Sequence, residues 1–176
     1  MASLFGTNNI FSTFSKVYPA PCEKTGVTLR DKVMSCIMND NVCKNPECYT
    51  KSIELLEYAE MFNNMPVTYF IFDNGAYDIF YKDITESDKR KITRAHLVLG
   101  DLVYDALKDK INRITTSARK SFFFDGKRDV IFHMENNYPI VQANVLQKAR
   151  TENITIYFVD MPLFSLEQLY IDTSSV

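Results

Sequence analysis

Four cysteines, Cys22, Cys36, Cys43 and Cys48, lie in one stretch of the chain, and none follows Cys48. A structural zinc ion takes four soft ligands, usually offered as two tight pairs. Only Cys43 and Cys48 are close enough to form such a knuckle, with Asn45-Pro46 turning the chain between them and Cys36 near enough to join. The same four residues fit a disulfide pair in an oxidising compartment, or ordinary thiols in a reducing one. No Cys-x-x-Cys is present, so thioredoxin-like redox work is not expected. The reading therefore assigns no metal and no cofactor.

The two histidines, His96 and His133, fall near the apolar side of an expected helix and on an expected strand. A satisfied core or boundary imidazole accounts for each, and no catalytic residue is assigned. Asp125, Asp129, Glu135 and Asp160 sit on or beside expected strands, with Lys127 or Lys148 available as a base. Two or three converging carboxylates are what a Mg²⁺-dependent nuclease needs. Carboxylates in Asp-Gly turns, however, already have a structural task. The run Phe72-Asp73-Asn74-Gly75-Ala76-Tyr77 resembles the first phosphate-binding hairpin of actin-type ATPases. That resemblance spans six residues and implies a much longer chain with further phosphate motifs, which are not found.

The stronger signal is charge. From Lys89 to Arg128 there are 11 Lys+Arg against 4 Asp, a net +7 in a chain whose total is −2. Lys89, Arg90 and Arg94 open an expected helix, where cations oppose the helix dipole and are poor stabilisers. Lys108, Arg113, Arg119, Lys120, Lys127 and Arg128 continue the bias beside Phe122-Phe123-Phe124. Cations on one surface with aromatics to stack bases are what single-stranded nucleic acid requires. The same nine residues would also suit an acidic protein face. Glu54, Glu57 and Glu60, with Asp83, Glu86 and Asp88, supply such a face elsewhere in the chain, so head-to-tail self-association is open as well.

The elements that must position these groups follow from pattern. Residues 1–26 read as an extended arm and 27–176 as a single α+β domain, with a helical part at 27–64. Thr28 with Asp31 caps a short helix to about Met38, and Pro46 starts a second one to about Asn63. Val67–Phe72 and Ala76–Lys82 flank Asn74-Gly75, the signal for a type I′ hairpin. A long helix follows from Thr85 or Ser87 to about Ile114, interrupted at Gly100. A second hairpin spans Lys120–Glu135, a helix Pro139–Arg150, a strand Ile154–Asp160 and a last helix Pro162–Tyr170. The expected architecture is two hairpins and a further strand in a mixed or antiparallel sheet packed on a long helix. The shared Phe-rich strand and Asp-Gly turn raise a ββα duplication within 66–176.

No run approaches the length of a membrane span. Met1 to Lys16 lacks the basic start and continuous apolar core of a secretory signal, which sets a cytoplasmic expectation. The function expected is a non-enzymatic interaction or assembly protein, a subunit of a larger particle, acting through a protein partner or self-association. Its Asn-, Tyr- and Phe-rich, Trp-free composition fits a viral or phage product. The alternatives are a nucleic-acid-binding protein using residues 89–128 and a metal-dependent nuclease.

Overall fold

The computed structural model describes residues 27–38 and 45–171; the expected arm at 1–26, with Cys22, and Cys43 lie outside them. Helix α1, Leu29–Ile37, starts as its sequence requires. Thr28 Oγ1 accepts from the Asp31 amide at 3.1 Å, and the Asp31 carboxylate returns the bond to the Thr28 amide. Leu29, Val33, Cys36 and Ile37 form its buried stripe. A helical run follows: a 3₁₀ turn Pro46–Tyr49, α2 Thr50–Glu54 and a 3₁₀ helix Leu55–Phe62.

Strand β1, Val67–Ile71, is buried along its whole length. The expected first hairpin does not form after it. Asp73 instead caps helix α3, Asn74–Phe80, accepting from the Ala76 amide at 2.8 Å. Asn74 ties into the helical run, accepting from the Lys51 amide at 3.0 Å and donating to Thr50 Oγ1 at 3.1 Å. An Asp-Asn-Gly sequence satisfies an N-cap as readily as a turn, and here the cap wins. The ββα unit expected at this point, and with it the ATPase-like phosphate hairpin, is not formed.

The long helix is also replaced. Helix α4, Glu86–Ala95, is capped by Thr85 with Asp88 and stops at His96. Strand β2, Leu97–Leu99, then pairs antiparallel with β1. Gly100, at φ +122°, turns the chain into a connection carrying the short helix α5, Tyr104–Leu107, before β3, Ile111–Thr115. The second hairpin forms as expected, from β4, Ser121–Asp125, and β5, Val130–Glu135. The expected helix Pro139–Arg150 is instead a long strand, β6, Tyr138–Thr151. The residues between β5 and β6, Asn136 and Asn137, both have positive φ (52° and 69°). A two-residue turn of that kind selects a hairpin. Strand β7, Ile154–Val159, and helix α6, Leu166–Tyr170, follow.

Among the described residues, seven strands share one sheet in the order β2-β1-β7-β6-β5-β4-β3, parallel between β1 and β7 and antiparallel elsewhere. The register shifts once between β5 and β6 and once between β6 and β7, and such bulges bend a strand. The sheet curls until rings on distant strands meet: Phe70 of β1 lies 5.3 Å from Phe122 of β4, and Phe124 lies 5.4 Å from Tyr157 of β7. The two edges approach where Ser117 donates its amide to the Leu97 carbonyl at 2.8 Å. Two apolar layers result. Inside the curl lie Phe70, Phe72, Phe122, Phe124, Ile131 and Tyr157. On the outer face of β1 and β7, Tyr69, Ile71, Ile156 and Phe158 pack against α1 and the helical run. Among the described residues no helix is long and apolar enough to cross a membrane.

Candidate functional site

The nine basic residues fall into two groups at opposite ends of β3 and β4, with Arg113 between them. Lys89, Arg90 and Arg94 lie along α4 and lean on neighbouring side chains. Lys89 sits 3.8 Å from Glu86, Arg90 covers the Tyr58 ring at 5.7 Å, and Arg94 reaches Met61 Sδ at 3.6 Å. Arg119 and Lys120 are near the end of α4, because the Ala118 amide bonds the Arg94 carbonyl. Lys120 is nearly buried, its ammonium donating to the Ile171 carbonyl. Lys108, paired with Asp105 at 3.8 Å, and the turn residues Lys127 and Arg128 lie at the other end of β3 and β4, roughly 16 Å away at strand rise. Arg113 stands between the two groups, exposed on β3.

The carboxylates are engaged in holding the fold. Asp125 is buried and accepts from the Lys127 amide at 3.0 Å, with Arg128 Nε 3.1 Å away. Asp129 pairs with Lys148 at 3.0 Å. Asp160 accepts from the Asn144 amide at 2.7 Å and its side chain at 2.9 Å. Among the described residues no three His, Cys, Asp or Glu side chains gather in a metal-binding group. Cys36 is buried under α1 and Cys48 is exposed on the 3₁₀ turn.

A polar clasp escaped the sequence reading. Because β6 is a strand, Lys148 and Arg150 point to one face, two residues apart. Arg150 and Thr155 both bond Asp101, and Tyr157 donates to the Leu102 carbonyl at 2.7 Å. The Lys148 ammonium lies 3.9 Å above the Tyr104 ring. The clasp fastens the β2–β3 connection across β6 and β7.

The conspicuous surface is the outer face of the other half of the sheet. Helices cover β1 and β7, whereas β3 to β6 carry an open row set by register: Arg113 opposite Phe123, Phe123 opposite Phe132, Phe132 opposite Val141. Phe122 and Phe124 point inward and are fully buried, which leaves Phe123 outward, as strand alternation demands. The Phe123 and Phe132 rings stack at 5.2 Å and 13°. On the same face the β5–β6 hairpin exposes Met134 and Val141, and on its opposite face Tyr138 and Ile140, with Tyr138 at 70% and Val141 at 60% exposure. β6 gains its second neighbour, β7, only from Val145 onward, so the hairpin tip projects.

No known protein family matches the chain, and no curated protein matches it. Among solved structures, the FAS1 domain pair from the insect cell adhesion molecule fasciclin I is similar in chain path, with a TM-score of 0.48 and 16% identity over 65% of this chain. This chain spans 44% of that one. A likeness of that size carries no information about activity or partner.

Proposed function

We propose that the protein is a non-enzymatic protein-interaction domain that self-associates through the open face of β3 to β6. The observation that carries this reading is the row Phe123–Phe132–Val141, half-exposed at the two rings and continued on the same face by exposed Met134, where no helix covers the sheet. A contiguous exposed apolar surface with aromatic anchors marks a contact site. The occupant is a second copy of the chain. A twofold axis through the face sets the row against its own copy, aromatic against aliphatic side chains. Assembly into a larger particle, of viral or other origin, is the finer form of the same reading.

Light-scattering mass over a concentration series tests it. A dimer is expected, weakened by Met134→Asp at the exposed end of the row. Val141→Asp should weaken it as well. A monomer at every concentration overturns the reading. A polyanion is the second candidate occupant, favoured by Arg113 beside the stacked phenylalanines and by the exposed Arg119 and Lys127. It would appear as binding of a single-stranded oligonucleotide that Arg113→Glu removes and salt weakens.

A further inference from the structure

Both histidines of the chain converge on one residue of the segment that follows β7. The Leu163 amide donates to His96 Nε2 at 2.8 Å, and His133 Nε2 donates to the Leu163 carbonyl at 2.8 Å. His96 Nδ1 lies 2.8 Å from the Ile92 carbonyl, which can only accept. The tautomer of His96 follows from its partners: the proton is on Nδ1 and Nε2 is bare. His133 must carry a proton on Nε2 to donate to that carbonyl.

Leu163 anchors a strap, residues 160–171, that closes one end of the core. Leu163, Phe164 and Leu169 are buried, and the Phe164 ring lies 6.4 Å from His96 and 5.0 Å from His133. His96 is fully buried, with Phe72 at 4.9 Å. The titratable groups facing this knot are few. Tyr81, beyond α3, bonds the Phe164 carbonyl, and Tyr77 stacks on Phe72. On the strap, Asp160 is taken by Asn144, while Lys120 and Asp88 hold the far end through Ile171 and Tyr170. No carboxylate bonds either imidazole among the described residues, so nothing there accommodates an extra proton.

We propose that His96 is an acid-released latch: a proton on Nε2 sets two donors face to face at His96 and Leu163, and the strap 160–171 leaves the core while the sheet stays formed. Burial opposes that proton, lowering the His96 pKa from 6.5 to about 4 against the smaller opposing pull of the Ile92 carbonyl. With the strap open the ring regains its ordinary affinity. Between those two pH values each unit of acid raises the open population tenfold, about 300-fold in all.

Amide hydrogen exchange on the whole protein from pH 7 to pH 4, corrected for intrinsic rates, tests this. Protection of the Leu163 and Leu169 amides should fall by up to about 300-fold relative to the Tyr157 amide at the centre of the sheet. His96→Gln, whose carbonyl accepts the same bond without titrating, should hold that ratio constant, and His133→Gln should leave the wild-type response in place. Equal loss at strap and sheet, a constant ratio in the wild type, or a response that disappears with His133 overturns the latch. Should His96→Gln fail to fold, the wild-type ring is followed by NMR. Proton uptake at His96 must then coincide with the loss of Leu163 protection, and uptake without that loss overturns the proposal.

Discussion

Gly126→Ala should be one of the most damaging small substitutions in this protein. Gly126 follows β4 in the β4–β5 turn and presses against the end of α5. A β-carbon built there would lie 2.0 Å from the Leu107 carbonyl oxygen and 2.6 Å from Lys108 Cα. Carbon–oxygen contacts settle near 3.3 Å, so one backbone must retreat by more than about 1 Å. The turn resists, because Asp125 pins the Lys127 amide at 3.0 Å and Arg128 Nε lies 3.1 Å from the same carboxylate. The β2–β3 connection must lift instead. Lifting breaks the bond from the Gly126 amide to the Lys110 carbonyl, now 2.8 Å, at about 0.5–1.5 kcal/mol. It also exposes part of buried Leu107, for which about 1.5–3 kcal/mol is the full transfer value. A loss of about 3 kcal/mol follows, or about 6–12 °C in Tm for a domain of this size. Urea unfolding followed by far-UV circular dichroism measures it. Gly75→Ala is the control: its β-carbon meets only Asp73 Oδ1 at 3.4 Å inside α3, so helix propensity should leave it neutral or up to about 1 kcal/mol more stable. A cost below about 1 kcal/mol for Gly126→Ala would refute the steric argument.

Thr85→Ala removes the cap of α4, where Thr85 Oγ1 accepts from the Asp88 amide at 3.1 Å, and should cost about 1 kcal/mol by the same unfolding assay. Acid should destabilise the wild type through His96 with a definite sign. The unfolded chain takes up that proton near pH 6.5 and the folded one only near pH 4, so stability is full above 6.5 and is lost on acidification through the interval, by up to about 3 kcal/mol. The difference between wild type and His96→Gln across a pH series isolates this share. Asp88, held low by the Thr85 amide and then by the Tyr170 hydroxyl, should add a further loss at more acid pH, read as the residual slope in His96→Gln.

The parts legible from sequence were those in which local chemistry and tertiary packing agree. Thr28 with Asp31 marks α1 because the capping box satisfies two orphan amides at once. The alternation through Ser121–Glu135 marks the hairpin whose outward Phe123 became the centre of the open face. The misreadings arose where two local solutions compete. Asp73-Asn74-Gly75 supports a turn or a cap, and only the distant partners Lys51 and Thr50 decide between them. Ile92, Leu99, Leu107 and Ile111 keep a helical period by coincidence, since each belongs to a different element. Lys148 and Arg150 fell on an expected helix, and only strand geometry brings them to Asp101, Asp129 and the connection above. Likewise, no pattern in the chain tells that His96 and His133, 37 positions apart, meet at Leu163.

The pairing of β1 with β7 has a consequence for how the chain comes off the ribosome. Their paired residues are 87 positions apart, from Val67↔Ile154 onward, yet the strands are central neighbours, with β7 placed between β1 and β6. Until the last strand emerges, β1 and the second half of β6 each present an unsatisfied edge, and the curl cannot draw shut. The sheet therefore stays open to strand exchange for as long as the chain between β1 and β7 is being made.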